Sequence, residues 1–392
     1  MSKSLEIKKS EIGVFTVIRI VFDAAIRMVY PFLPVIGRGL QVDLATITLA
    51  ISFSMAASAL GPFIAPVADR YGRRTGLLIG LMIFTFGCAL AGFFPSYWSF
   101  LVGLLLINLG DNIFLPSMQA YISDRVSYEK RGAYIGVTEL AWALSFILVI
   151  PLIGLLIQAT WWNIPYIVLG GIGILAIFIT LLRFPADRPH PEEAPRLYAG
   201  LTRVFKVRNA WLILIAGLSA VTANGLVNVL FGVWMEDSFG LQVTALGLAS
   251  MIIGFSELGG ETLTTLFSDR LGKERSFILG LIANTLAVLS LPLLGNTVFG
   301  ALVWLSLFAL SFEFGVASSW MVVSEVLPVA RATMIAVYIA ALSLGFALGS
   351  VLAPHFYVMG MYANAIAAAG FNILAIIAIT RIRIKTPSSN DD

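Results

Sequence analysis

Apolar stretches of about 20 residues, the length that crosses the hydrocarbon core of a bilayer as a helix, recur along the whole chain. The 392 residues are 59% hydrophobic and only 12% charged, and their mean hydropathy is +0.92. A water-soluble fold could not cover that much apolar surface, so the bilayer must be the solvent for most of the chain. The pattern predicts an all-α membrane protein with twelve transmembrane helices. The predicted spans are 13–36, 44–67, 76–94, 99–122, 133–157, 164–182, 210–235, 243–267, 276–294, 298–323, 332–356 and 363–380.

One charged loop occurs twice. Asp69–Arg74 precedes the third predicted span, and a related segment, Asp269–Arg275, precedes the ninth at an offset of 200 residues. Arg131 and Arg331 end two further loops at the same offset. Internal repeats of this kind are typical of transporter folds, so we expect two six-helix bundles related by pseudo-twofold symmetry.

The repeat sets the expected domain organisation. An N-terminal six-helix bundle takes residues 1–183, a cytoplasmic linker 184–209, and a C-terminal six-helix bundle 210–392. The linker begins with four prolines among charged residues, a composition typical of a solvated loop. With both termini in the cytoplasm, nearly all of the 25 lysines and arginines fall in cytoplasmic loops. This distribution predicts cytoplasmic N- and C-termini. The expected location is the cell (inner) membrane.

The loop before span three resembles the signature loop of the major facilitator superfamily. The flanking segments around Asp124 to Arg131 and Glu325 to Arg331 resemble the family's pattern as well, so the resemblance covers nearly the whole chain. In that family the loop residues form a charge relay that latches the two halves, and the resemblance implies the same role here. The alternative is that these charges only mark the cytoplasmic side. The predicted gate residues are Asp69, Arg70, Gly72, Arg73, Arg74, Asp269 and Arg270.

Eight charged residues fall inside the predicted spans. On insertion scales each costs roughly 2.5–3.5 kcal/mol at a helix centre, so most must face protein or a wet cavity, and must pair or be neutral. They are Arg19, Asp23 and Arg27 in span one, Asp111 in span four, Glu139 in span five, Glu257 and Glu261 in span eight, and Glu313 in span ten.

Arg19, Asp23 and Arg27 are spaced by four residues and therefore share one face of span one. Asp23 can bridge either arginine, and one arginine is left over. With Arg19 reaching toward the cytoplasmic interface, Arg27 near mid-span is free for Asp111, another nearby carboxylate or an anionic substrate group. The family resemblance implies that spans one, four, seven and ten line the transport cavity. A buried salt-bridge network that only fixes helix packing is the alternative. Polar residues on those spans are Asp23, Arg27, Asp111, Asn112, Asn224, Asn228 and Glu313.

Glu257 and Glu261 lie one helical turn apart on span eight. Two such carboxylates cannot both ionise cheaply in a medium of low dielectric constant, so one could accept and release a proton. In the family, span eight packs against span five, which carries Glu139. These acids suit proton coupling at a moving interface, although capping of the backbone or pairing with a polar neighbour is an alternative.

The residues and the resemblance together favour a secondary transporter that works by alternating access, most simply a proton-coupled exporter of small amphipathic compounds. A proton-coupled transporter of a sugar, an organic anion or a lipid headgroup is one alternative, and a membrane sensor without transport is another. Expected partners are a small-molecule substrate, protons and the lipid bilayer, with no nucleic acid and a monomeric state. We expect no cofactor, no metal site and no catalytic residues, because the sequence has no HExxH, GxSxG or Cys/His cluster.

The gate assignment makes a direct prediction. Asp69→Asn keeps the size of the side chain but removes the charge that the relay would exchange between the halves. We expect the rate of substrate transport by the reconstituted protein to fall. An Asp69→Asn variant that transports as fast as the unmodified protein would show that the loop only marks topology.

Overall fold

A computed structural model describes residues 9–61, 72–185 and 197–382, and these residues are almost entirely helical. The N-terminal half contains the helices Lys9–Arg27, Val29–Leu40, Leu44–Ser58, Arg73–Phe93, Tyr97–Arg125, Tyr128–Glu139, Ala141–Leu144, Ile150–Ala159 and Ile164–Arg183. The C-terminal half contains Arg208–Asn228, Phe231–Phe239, Val243–Leu271, Lys273–Leu289, Leu291–Leu294, Val298–Val326, Arg331–Tyr357 and Met361–Ile379.

All twelve predicted spans are helical where the structure describes them. Nine helical segments of the described chain are long and apolar enough to cross a membrane, judged by length and composition alone. The other three are spans one, two and nine. Span one carries three charges, the described helix of span two ends at Ser58, and the main helix of span nine has 17 residues. The twelve-helix prediction is confirmed.

Spans one and seven, predicted as continuous helices, are interrupted at corresponding points of the two halves. Span one breaks at Met28 and span seven at residues 229–230. In span one the cause is local, because Pro31 has no N–H to donate to the carbonyl of Arg27. Discontinuous helices at matched positions in two repeats are a structural pointer to the binding site of a transporter.

Span five is irregular as well. Its α-helix changes to a π-helical turn over Ser145–Val149 before continuing as Ile150–Ala159. Pro151 lies just beyond the turn and cannot donate to the carbonyl four residues earlier, which favours the wider spacing. Single π turns inside helices are frequent at functional sites.

The predicted linker is partly folded, which corrects its assignment as a solvated loop. Leu197–Lys206 forms a helix, and Val204 within it is fully buried against the C-terminal half. Leu201, Val204 and Phe205 follow a spacing of three and four residues, so they form one apolar stripe.

Helix pairs within each half repeat the same arrangement. Span three packs on spans four and six, and span nine packs on spans ten and twelve. Glycines allow this close approach: a methyl group at Gly80 would lie 2.8 Å from the carbonyl oxygen of Gly110, and one at Gly280 would lie 2.4 Å from the Cα of Gly315. The contacts between spans two and eleven and between spans eight and five are also exchanged by this symmetry.

The halves meet closely at the end of the bundle opposite the turns at Gly72 and Gly272. A methyl group at Gly232 of span seven would lie 2.4 Å from the carbonyl oxygen of Pro31 in span one. Arg38 Nη1 donates to Glu236 Oε1 at 2.8 Å across the same contact. The predicted extracellular end is therefore closed between spans one and seven.

The glycine contacts predict unequal effects of adding a methyl group. Gly80→Ala should lower the free energy of unfolding by about 1–3 kcal/mol, because the neighbouring backbone cannot move aside easily. Gly171→Ala is the matched control: it is also helical, and its added methyl group meets no atom within 4 Å. Thermal unfolding in detergent measures both. Equal melting temperatures for the two variants would contradict the packing argument.

Candidate functional site

The face of span one predicted from the spacing of its charges is buried along its length. Arg19 Nη1 donates to Glu139 Oε1 at 2.9 Å, and Arg19 Nε lies 3.7 Å from Asp23 Oδ2. Gln119 also donates to Glu139 Oε1, at 3.2 Å. Asp23 thus bridges to Arg19 rather than to Arg27. We call Arg19, Asp23, Glu139 and Gln119 the Arg19 cluster, which joins spans one, four and five within the N-terminal half.

Arg27 makes the central ion pair of the protein. Its Nη2 donates to Glu257 Oε1 at 2.5 Å, and the two side chains are only 1% and 8% exposed. The pair joins span one of the N-terminal half to span eight of the C-terminal half. Of the three partners considered for Arg27, the structure selects a nearby carboxylate, and that carboxylate is Glu257 rather than Asp111. The reason is tertiary, because span eight is brought against spans one and five.

Span five holds the guanidinium group of Arg27 in place. Arg27 Nη1 donates to the carbonyl oxygen of Trp142 at 2.6 Å. The guanidinium carbon lies 3.9 Å from the ring centre of Trp142 and 3.7 Å from that of Phe146, distances of strong cation–π contacts. Ser145, at the start of the π turn, also donates to the Trp142 carbonyl. Phe146 and Ser145 were not predicted. A ring that contacts a cation and a serine that donates to a backbone carbonyl have no distinctive pattern in the sequence.

Two further carboxylates, those of Glu313 and Glu261, lie beside this pair. We call these two acids together with Arg27 and Glu257 the Arg27 cluster. Glu313 of span ten is buried, and its Cβ would lie 2.8 Å from a methyl group at Gly260 of span eight. Glu261 is half-buried one turn beyond Glu257. Within the described residues no lysine or arginine nitrogen comes within 4.0 Å of either acid. The acids therefore exceed the cations around Arg27.

The predicted polar residues of spans four and seven keep unused hydrogen-bonding groups. Asn228 donates to Asn224 at 3.3 Å. Asp111 Oδ1, Asn112 Nδ2 and Asn228 Oδ1 are buried atoms with no hydrogen-bond partner among the described residues. The described contacts do not join these residues to the Arg27 cluster. They offer both donors and acceptors, the combination that a polar ligand group needs.

The predicted gate residues divide into described and undescribed ones. Asp69 and Arg70 lie outside the described residues. Arg73 Nε lies 3.2 Å from Asp124 Oδ2, and Arg74 Nη2 donates to the Leu181 carbonyl at 2.6 Å. Asp124 was part of the family pattern but was not assigned to the gate.

The second loop repeats this geometry. Lys273, at the position of Arg73, forms an ion pair with Glu325 of span ten, as Arg73 does with Asp124 of span four. Asp269 and Arg270 are exposed at the end of span eight. Gly72 and Gly272 begin the following helices with φ values of 95° and 87°, which residues with a Cβ rarely adopt. The described parts of the two loops, from Gly72 and from Gly272 onward, are thus built alike, and each glycine permits its tight turn.

The buried pair makes a prediction about stability. Arg27→Met leaves the Glu257 carboxylate buried without its cation, which should cost about 3–5 kcal/mol of unfolding free energy. Combining Arg27→Met with Glu257→Gln removes both charges and should recover most of that loss. Arg38→Met, at an exposed pair, should cost no more than about 1 kcal/mol. Thermal unfolding in detergent tests the cycle, and a double variant less stable than Arg27→Met alone would contradict it.

Comparison with known proteins agrees with this architecture. The family model described as Major Facilitator Superfamily matches residues 15–324. The uncharacterized MFS-type transporter YwfA of Bacillus subtilis (strain 168) is 27% identical over 365 residues, covering 90% of this chain and 87% of that protein. Multidrug resistance protein 1 of the same organism is 24% identical over 62% of each chain. A bacterial homologue of the human lysosomal transporter Spinster, solved in an inward-facing and occupied conformation, has the same fold, with a TM-score of 0.74 at 14% identity over 95% of each chain. This chain is a multi-pass membrane protein and belongs to the major facilitator superfamily of secondary transporters.

Proposed function

We propose that the protein exports small amphipathic compounds in exchange for protons, as a monomer in the cell membrane with both termini in the cytoplasm. The observation that carries the proposal is the buried Arg27–Glu257 pair, because it connects the two halves that must separate during alternating access. A small-molecule substrate and protons are the two ligands of the cycle.

The pair supplies a physical route for coupling. Separating two buried, unscreened charges is costly, and a proton on Glu257 removes the negative charge that holds span eight to Arg27. Protonation therefore weakens the contact between the halves, and deprotonation restores it. In our proposal Glu261, one helical turn from Glu257, and Glu313, which packs against span eight, share or relay that proton.

Substrate must act on the same equilibrium. A ligand shifts a two-state equilibrium only by the difference between its affinities for the two states. Exchange follows when the proton and the substrate prefer opposite states. In our proposal the loop residues Asp69 to Arg74, with Asp269 and Arg270, latch the cytoplasmic ends in the state where this end is closed.

The contacts of Arg27 disfavour the alternative of an anionic substrate bound to this arginine, and our proposal remains export of small amphipathic compounds. Its two terminal nitrogens donate to Glu257 and to the Trp142 carbonyl, and aromatic rings cover its guanidinium group. An anionic substrate would have to displace Glu257 and approach Glu261 and Glu313. The similarity to Multidrug resistance protein 1 also supports the proposal of export, although drug resistance is named for that relative and not for this chain.

Transport by protein reconstituted into vesicles tests the proposal. An imposed pH gradient should drive substrate accumulation, and addition of substrate should move protons in the opposite direction. Glu257→Gln mimics the protonated acid permanently and can no longer exchange a proton, so it should abolish gradient-driven accumulation and leave equal substrate concentrations on the two sides of the membrane.

Two controls make this result specific. Glu257→Gln should still exchange labelled substrate across the membrane without a gradient, which shows that the variant folds and binds. Glu129→Gln neutralises an exposed glutamate outside the site and should retain full accumulation. Accumulation by Glu257→Gln equal to that of the unmodified protein, or transport independent of pH gradients, would refute proton coupling through this pair.

A further inference from the structure

An apolar groove, separate from the Arg27 cluster, lies mainly on the C-terminal half, and Ala59 at the end of the described helix of span two also lines it. Spans seven, eleven and twelve form its floor, the helix Leu197–Lys206 forms one wall, and its volume is about 540 Å³. The lining residues that matter to the argument are Leu201, Phe205, Trp211, Ile215, Leu344 and Leu374.

The groove opens toward lipid and has the depth of one leaflet. Trp211, Ile215, Leu344 and Leu374 are large apolar side chains, each at least 40% exposed. Along span eleven the lining runs from Thr333 to Leu344, which corresponds to about 16 Å of helix. The hydrocarbon core of a bilayer is about 30 Å thick, so the groove has the length that an acyl chain occupies in one leaflet.

The wall of the groove is fixed to the fold. Val204 is fully buried beneath the helix Leu197–Lys206. Trp211 Nε1 donates to the carbonyl oxygen of Phe205 at 2.9 Å, and the rings of these two residues lie 5.2 Å apart. The groove is therefore formed by packed helices rather than by a loop resting on the surface.

Basic residues stand at the end of the groove nearest the linker. Arg208 begins the helix of span seven, three residues before Trp211, and so lies on the helix face that lines the groove. Arg381 lies two residues beyond the end of the span-twelve helix, which carries Leu374. Both arginines are exposed. No aspartate or glutamate occurs between Glu193 and Glu236, so the helices of the wall and of span seven bring no compensating acid.

We propose that this groove is a binding site for an anionic phospholipid, with one acyl chain in the groove and the phosphate held by Arg208 and Arg381. Guanidinium groups form strong charge-assisted hydrogen bonds with phosphate oxygens. The site lies at the predicted cytoplasmic face, where the leaflet carries anionic lipids. Trp211 stands at the depth of the headgroup region, where tryptophan is enriched.

Native mass spectrometry of the whole protein, extracted from vesicles with equal amounts of phosphatidylglycerol and phosphatidylcholine, tests the site. The unmodified protein should retain phosphatidylglycerol preferentially. Arg208→Gln with Arg381→Gln should reduce that preference roughly 20- to 30-fold, the factor expected for two basic residues at an anionic membrane surface. Lys130→Gln with Arg183→Gln, which neutralises two exposed basic residues of the N-terminal half, is the matched control and should keep the preference.

A groove variant separates chain binding from headgroup binding. Ala340→Phe fills the groove and should reduce retention of both lipids, provided that the melting temperature in detergent shows a folded protein. An unchanged preference in Arg208→Gln/Arg381→Gln, an equal loss in the control pair, or unchanged retention by a folded Ala340→Phe variant would each overturn the proposal. These outcomes do not depend on proton coupling, because no transport is measured.

Discussion

The rest of the structure depends on one buried ion pair, Arg27 with Glu257. Two charges that are almost completely removed from water are stable only together, because each alone would bear its full desolvation cost. The pair also spans the boundary between the two bundles. A contact of this kind resists separation of the halves and makes that separation sensitive to protonation, so stability and conformational change are governed by the same two side chains.

The scaffold around the pair is symmetric, whereas the chemistry is not. Matched helix breaks at Met28 and residues 229–230, paired glycine contacts and equivalent turns at Gly72 and Gly272 all follow the repeat. The charges do not: the Arg19 cluster belongs to the N-terminal half, while Glu257 and Glu313 come from the C-terminal half. The π turn of span five is present on one side only in the described residues and supplies the Phe146 ring contact to Arg27, while Trp142 of the preceding helical turn supplies the carbonyl and the second ring. Duplication thus provides the architecture, and divergence of the halves provides the site.

Sequence reasoning found the participants of the site more easily than their partners. The cost of a charge in the bilayer singled out eight residues. Seven of them belong to the Arg19 and Arg27 clusters, while Asp111 forms no ion pair with either cluster among the described residues. The pairing of Arg27 with Glu257 could not be deduced, since the two residues are 230 positions apart and several acids were available. Likewise, the helix Leu197–Lys206 was not predicted, because the prolines before it indicated a loop. The packing of its apolar stripe on span eleven could be seen only in the structure.

The sequence by itself determined the bilayer as solvent, the twelve helices and the duplication, because hydropathy, span length and repeated loops are local or periodic properties. It also determined which charges need partners, since insertion costs depend on residue type and depth. Only the tertiary structure decided which partners they have, where the helices break against each other, and that a lipid-facing groove adjoins basic residues. Those features depend on distances between helices far apart in the chain, and the packing that sets these distances comes from many weak contacts without a sequence signature.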